Sequence, residues 1–363
     1  MFFQLRVSAW DEEIQLPAWD PFPRLLALRP MKKINLPNTD LTVSQLCFGC
    51  WGVASDFHWG DRVEDESVQA MLSAVDAGVN FFDTAPVYGE GASETLLGQV
   101  LSENGLRDQV VVASKIPPAK MKPDEVVEEC EASLKRLQTD RIDLYQTHWG
   151  NTETPLTETW EAMIKLKEQG KVRHIGVCNA GTADLSDISA VQAPVTNQLP
   201  YNLIWRMIED AILPKCRDEN IGVLVYSPLM HGMLAGKYKD SADVPDGRAR
   251  SRHFTTDRPL ARHGEPGCEA ETFAVLDKIR AIAEGLGREM ADVALVWTIQ
   301  QAGISSVIAG AKNETQLREN VRCIDGPLPD DAINALNAAT DELLQALGPN
   351  PDMWDGGDNS RYR

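Results

Sequence analysis

Four ionisable residues fall at the ends of short apolar runs in the first half of the chain. They are Asp83 and Tyr88 in "NFFDTAPVYG", Lys115 in "VVVASKI" and His148 in "IDLYQTH". A carboxylate, a phenol, an ammonium and an imidazole are groups that hold, tune and hand over protons. Singly, each has an ordinary reading: Asp83 as a helix cap, Tyr88 as a packed aromatic, Lys115 as a solvated strand end, His148 as a satisfied core histidine. Taken together they form a candidate catalytic set, provided that the fold brings these strand ends to one face.

From Leu46 onward, short apolar strands alternate with amphipathic helices. The strands are "LCFGCWG", "NFFDTA", "VVVASKI", "IDLYQTH", "HIGVCN", "VTNQLPY", "VLVYSPL" and "SSVIAGA". Among the helices, "PDEVVEECEASLKRL" has Pro123 in its first turn and apolar residues at Val126, Cys130, Leu134 and Leu137; these recur at helical spacing. In "LTETWEAMIKLKEQG", Gly170 is a C-terminal stop. Eight strands, each followed by helix, predict an α/β fold of the closed (β/α)8 TIM-barrel type. The Gly-rich fingerprint of an open dinucleotide-binding sheet does not follow the first strand. In such a barrel the C-terminal ends of the strands form one face, so Asp83, Tyr88, Lys115 and His148 converge there.

Ahead of the barrel, "MKKINLPNTDLTVSQL" alternates about an Asn-Thr-Asp turn and predicts a β-hairpin. Residues 1–30 show neither a helical nor a strand period and lack the charge and apolar pattern of a secretory signal; they are expected to be a loosely ordered extension. The barrel domain is expected to span 31–347, with a tail over 348–363. That tail, "GPNPDMWDGGDNSRYR", is rich in Gly, Pro and Asp but carries Met353, Trp354 and Tyr362. Trp354 is therefore expected to dock on the barrel, near its mouth or at a subunit contact.

The 363 residues are 43% hydrophobic, and 35 Lys+Arg against 54 Asp+Glu give a net charge of −19. Such a surface repels phosphate backbones and anionic lipid, which argues against nucleic acid or membrane partners, though a local basic pocket remains open to an anionic cofactor. No run of about 18 apolar residues is present to span a bilayer. Seven scattered cysteines without framework spacing point to a reducing, cytoplasmic setting. Cys47 and Cys50 form a C-x-x-C, but no second Cys/His pair follows, so no metal site is expected.

The segments "NFFDTAPVYG", "VVVASKI", "DLYQTHWG", "GVCNA", "NQLPYN", "YSPLMHGMLAGKY" and "IAGAKNETQLREN" resemble, in order, the motifs of the aldo-keto reductases. The likeness covers about 31–320 and is closest to bacterial members similar to potassium-channel β-subunits. It implies that Asp83, Tyr88, Lys115 and His148 are the catalytic tetrad of NADPH-dependent, reversible reduction of an aldehyde or ketone to an alcohol. Hydride delivered to a carbonyl carbon leaves charge on oxygen, where a proton donor is needed. By the same resemblance Tyr88 is expected to be that donor. Lys115 beside it is expected to lower its pKa from the usual value of about 10, Asp83 to hold Lys115 charged, and a neutral His148 to orient the carbonyl.

The same resemblance places the cofactor. Asn179 and Gln198 would bond the nicotinamide carboxamide and Tyr226 would stack on its ring; Cys178 stands where the family usually has serine and offers a weaker partner. Backbone N–H groups around Ser227, Leu229 and Leu234, with Lys237, would meet the pyrophosphate, although an ordinary loop with a solvated lysine reads the same way. Beyond Gly310, Lys312 and Gln316 would meet the adenosine 2′-phosphate and Asn320 the adenine, with Glu319 beside it. The long polar segment 240–265, with Arg248, Arg250 and Arg252, follows strand seven as a candidate lid. Trp51, His58, Trp59 and Trp149 follow strands one and four and are expected to line the substrate mouth. A second reading stays open: a cofactor-bound regulatory or scaffold subunit whose turnover is incidental.

Overall fold

The computed structural model describes residues 31–53, 64–324 and 326–363; residues 1–30, His58 and Trp59 lie outside these. A hairpin comes first, β1 (Lys33–Asn35) paired antiparallel with β2 (Thr42–Ser44). Eight parallel strands follow: β3 (Leu46–Gly49), β4 (Phe81–Asp83), β5 (Val111–Ile116), β6 (Ile142–Thr147), β7 (Val172–Cys178), β8 (Thr196–Pro200), β9 (Gly222–Tyr226) and β10 (Ile304–Ala309). They close in sequence order, with β10 returning to β3, so the expected (β/α)8 barrel is the observed fold.

The helices between the strands are α1 (Glu64–Asp76), α2 (Ala92–Glu103), α3 (Pro123–Arg136), α4 (Leu156–Glu168), α5 (Thr182–Ser189) and α6 (Ile212–Asp218). Two helices, α7 (Glu269–Gly285) and α8 (Met290–Gln300), separate β9 from β10, and α9 (Glu314–Cys323) and α10 (Asp330–Leu347) complete the ring. In α3, Pro123 occupies the first turn and Val126 and Cys130 are buried. Gly170 ends α4 with φ at 75°, the left-handed conformation that glycine adopts without a Cβ clash. Among the described residues, no helix is long and apolar enough to cross a membrane.

Period-two alternation divides the strand side chains between two cores. Phe82, Val112, Tyr145 and Val177 point outward into the helix layer. Phe81, Val111, Ala113, Leu144, Leu224 and Ile308 point inward, packed with Leu36, Leu41 and Val43 of the hairpin. The hairpin therefore plugs one end of the barrel with apolar side chains, each worth roughly 1.5–3 kcal/mol when fully buried. The two cysteines of the C-x-x-C motif are divided the same way, Cys47 in the inner core and Cys50 in the outer one. Because Phe81 faces inward, so does Asp83 two residues on; because Val111 and Ala113 do, so does Lys115. The other end of the barrel is left to polar groups.

Candidate active site

Polar chemistry is concentrated at the C-terminal mouth of the barrel, in a cleft of about 740 Å³ lined by Asp83, Tyr88, His148, Asn179, Gln198 and Tyr226 among others. Lys115 is fully buried at its base. Its Nζ donates to Asp83 Oδ2 at 2.6 Å, to the Thr84 carbonyl at 3.0 Å and to the Tyr88 hydroxyl at 3.1 Å. An ammonium has three protons, and each has an acceptor. The Tyr88 oxygen thus accepts from Lys115, which leaves the phenol's own proton free to be given elsewhere.

The electrostatics of this chain correct one expectation. Burial pushes the Tyr88 phenol up, and although Lys115 pulls the other way, the result is a pKa of about 12, above a free tyrosine rather than below it. Burial also works against the Lys115 charge, but Asp83 and Tyr88 outweigh it and hold the ammonium above its ordinary range. His148 is driven well below its ordinary value, first by burial and then by the Lys115 charge, and is neutral. Its ring meets the Tyr88 ring edge-on at 5.8 Å, while Trp51 stacks on Tyr88 at 5.9 Å.

Two side-chain amides have their orientation set by partners that can only accept. Gln198 Nε2 donates to Asp83 Oδ1 at 2.8 Å; this turns its Oε1 away from the carboxylate as an acceptor. Asn179 Nδ2 donates to the His148 carbonyl at 3.0 Å, so its Oδ1 must be the atom that meets the Tyr226 hydroxyl at 2.9 Å. Asn179 keeps one further N–H and Gln198 one acceptor. That donor–acceptor pair is complementary to a primary carboxamide. Cys178 lies beneath them, almost wholly buried and outside the cleft lining.

Backbone strain collects on the cleft wall. Asn179 (φ 57°), Ser227 (54°), His231 (53°) and Gly232 (101°) are left-handed, as is buried Met230 (40°) behind them; the Met230 and Gly232 N–H groups are taken by the Ser227 and Leu229 carbonyls of the same loop. Cations gather here too: Lys237, Arg248, Arg250, Arg262, Lys312 and Arg361 line the cleft against the carboxylates of Asp83 and Glu90. A basic pocket thus exists within a chain of net charge −19.

Of the expected cofactor and pocket residues, Trp51, Trp149, Ser227, Leu229, Gly310 and Gln316 also line the cleft. Three do not. Leu234 is fully buried and its N–H is taken by the Leu229 carbonyl; Asn320 turns inward to the Gly310 carbonyl, and Glu319 faces solvent.

The expected lid is fastened to the tail. Arg252 donates to the carbonyls of Leu347 and Asn350 and pairs with Glu265 at 2.7 Å. Trp354 docks at the mouth as expected, stacked on His231 at 5.4 Å with the Arg250 guanidinium 5.1 Å from its ring. Arg262, Arg361 and Tyr362 were not singled out for the site. The sequence signals for them are the candidate lid, which contains Arg262, and the aromatic-bearing tail, which contains Arg361 and Tyr362; no local period reports where a loop will land.

The aldo/keto reductase family model matches residues 45–341, and the chain belongs to that family, whose members are oxidoreductases that use a nicotinamide cofactor. It is 32% identical to the NADH-specific methylglyoxal reductase of Escherichia coli (strain K12), over 83% of this chain and 95% of that protein. It is 31% identical to a probable voltage-gated potassium channel subunit beta of Oryza sativa subsp. japonica, over 81% of this chain and 92% of that one. Among solved structures, it is similar to an aldo-keto reductase from Klebsiella pneumoniae in complex with NADPH, with a TM-score of 0.65 and 28% identity over 85% of this chain and 94% of that one.

Proposed function

We propose that this protein reduces an aldehyde or ketone to the alcohol with NADPH, reversibly, with Tyr88 as the general acid. The observation that carries this reading is the chain Asp83–Lys115–Tyr88, closed by contacts of 2.6 and 3.1 Å at the floor of the cleft. Asn179 and Gln198 would hold the carboxamide of the cofactor, and the basic wall with Lys237 and Lys312 its phosphates. When bound, the reduced nicotinamide supplies a hydride to the carbonyl carbon. Tyr88 gives its proton to the carbonyl oxygen, and neutral His148 donates a hydrogen bond that orients it. Lys115 stays charged throughout and opposes the negative charge left on the phenol.

The relatives divide on the cofactor, one being NADH-specific and another binding NADPH; Lys312 favours the 2′-phosphate here. Trp51 and Trp149 suit a small carbonyl substrate, and seven unpaired cysteines suit the cytoplasm. The test is a kinetic panel of aldehydes, sugars and ketones with NADPH and NADH on the purified protein. Turnover above the rate of cofactor exchange supports an enzyme; its absence across the panel would leave the scaffold reading in its place.

A further inference from the structure

Asn179 can present its spare N–H to the cleft only while its Oδ1 is held away from it. Two phenols hold it. Tyr226 donates at 2.9 Å, and Tyr362 of the C-terminal segment donates to the same oxygen at 2.8 Å. A carbonyl oxygen has two lone pairs, so these bonds saturate it. Tyr226 stands at the end of β9, whereas Tyr362 comes from 183 residues beyond Asn179 and crosses the mouth to reach it.

The segment is seated on both sides of that tyrosine. Before it, Arg361 pairs with fully buried Asp352 at 2.8 Å and lays its guanidinium 3.5 Å from the Trp149 ring centroid. The Tyr362 ring itself meets Trp149 edge-on at 5.7 Å. After it, the Arg363 main-chain oxygen accepts from Ala183 N–H at 2.8 Å. Gly181 permits that approach, since a Cβ there would lie 2.0 Å from the Arg363 oxygen. The hydroxyl therefore arrives at Asn179 on a seated backbone, as a fixed part of the barrel mouth.

We infer that Tyr362 is a positioning residue of the cofactor site: with Tyr226 it locks the Asn179 amide so that a donor, not an acceptor, faces the nicotinamide carboxamide. This rests on the proposed use of a nicotinamide cofactor. Without the Tyr362 hydroxyl one lone pair of Oδ1 is unmet and one of the three bonds that fix the amide is lost; the His148 carbonyl and Tyr226 still hold it, so it is loosened rather than released. The effect is expected at the nicotinamide end of the cofactor, because Lys237 and Lys312, the lysines assigned to its phosphates, belong to other segments, and the neighbouring Arg361 keeps its pairing with Asp352 when only the Tyr362 hydroxyl is removed.

Tyr362→Phe tests this, because phenylalanine keeps the ring on Trp149 and removes the hydroxyl alone. Binding of NADPH and of 2′-phospho-ADP-ribose, which lacks only the nicotinamide, is measured by calorimetry on parent and variant, with NADH and ADP-ribose in parallel. The dinucleotide should bind about three- to tenfold more weakly to the variant, the loss expected for one hydrogen bond, while the nicotinamide-free ligand binds equally to both. No change for either ligand overturns the inference. Tighter binding of the dinucleotide overturns it in favour of a tail that obstructs the site, and equal weakening of both ligands in favour of general damage. A parent protein that binds neither dinucleotide overturns the cofactor reading itself.

Discussion

The Lys115 ammonium and the Tyr88 phenol are joined as donor to acceptor, with Nζ 3.1 Å from the phenolic oxygen and 4.8 Å from the ring centroid. In the proposed reaction the pair acts as one unit, the lysine leaving the phenolic proton free to be transferred. Tyr88→Phe is expected to reduce carbonyl turnover by roughly 10²–10⁴-fold with cofactor binding retained. Lys115→Met should do similar damage, and the double variant should be little worse than either single one. Lys115→Met also leaves the Asp83 carboxylate buried without its cation, so its melting temperature should drop while that of Tyr88→Phe does not. A Phe variant that binds cofactor and reduces a good aldehyde at the parent rate would remove Tyr88 from its role.

The pH profile should differ between the two directions. A phenol with a pKa of about 12 keeps its proton across the neutral range, and His148 is already neutral there. Reduction, which needs the protonated phenol, should vary little from about pH 6 to pH 9. Alcohol oxidation needs the phenolate and should rise steadily over the same range, by up to about tenfold per pH unit. Steady-state rates in both directions at constant ionic strength check this. A reductive rate that falls away between about pH 7 and pH 9 would contradict the assignment.

Lys312 is the lysine of the turn that precedes α9, and it lines the cleft where the 2′-phosphate is expected. Lys312→Ala should weaken NADPH binding by about 10–100-fold through loss of a charge-assisted contact and leave NADH binding nearly unchanged. Titration with both cofactors decides it. Equal losses, or none, would reassign the site of the phosphate.

Gly98 lies within α2, where alanine would ordinarily improve a helix by about 1 kcal/mol. Here a Cβ would lie 2.5 Å from the Leu137 carbonyl carbon and 2.6 Å from the Arg136 oxygen. Both are backbone atoms at the end of α3 and cannot swing aside. Gly98→Ala should therefore cost about 1–3 kcal/mol, seen as a lower denaturation midpoint with activity per folded molecule unchanged.

The strands, the hairpin and the residues carried to the barrel mouth were legible in the sequence, because each depends on a local period. Two-residue alternation sends Asp83 inward two places after Phe81, and Lys115 likewise after Ala113. The motifs around Asn179 and Gln198 marked residues that the barrel brings to the cleft, Asn179 just past the end of β7 and Gln198 within β8. Where a backbone N–H or a side chain had two possible destinations, sequence did not choose. Leu234 and Asn320 satisfied backbone groups of their own loops instead of facing the cleft.

Only the tertiary structure decided the acidity of Tyr88 and the place of the tail. The sequence identified a phenol and an ammonium as neighbours, from which a lowered pKa follows in water; enclosure reverses the outcome, because desolvation depends on every atom packed around the ring. The meeting of Tyr362 with Asn179 across 183 residues leaves no periodic trace in either segment. Local patterns select which face of an element turns inward. Which distant loop then reaches that face is set by the closure of the barrel and by the contacts that seat the loop on it.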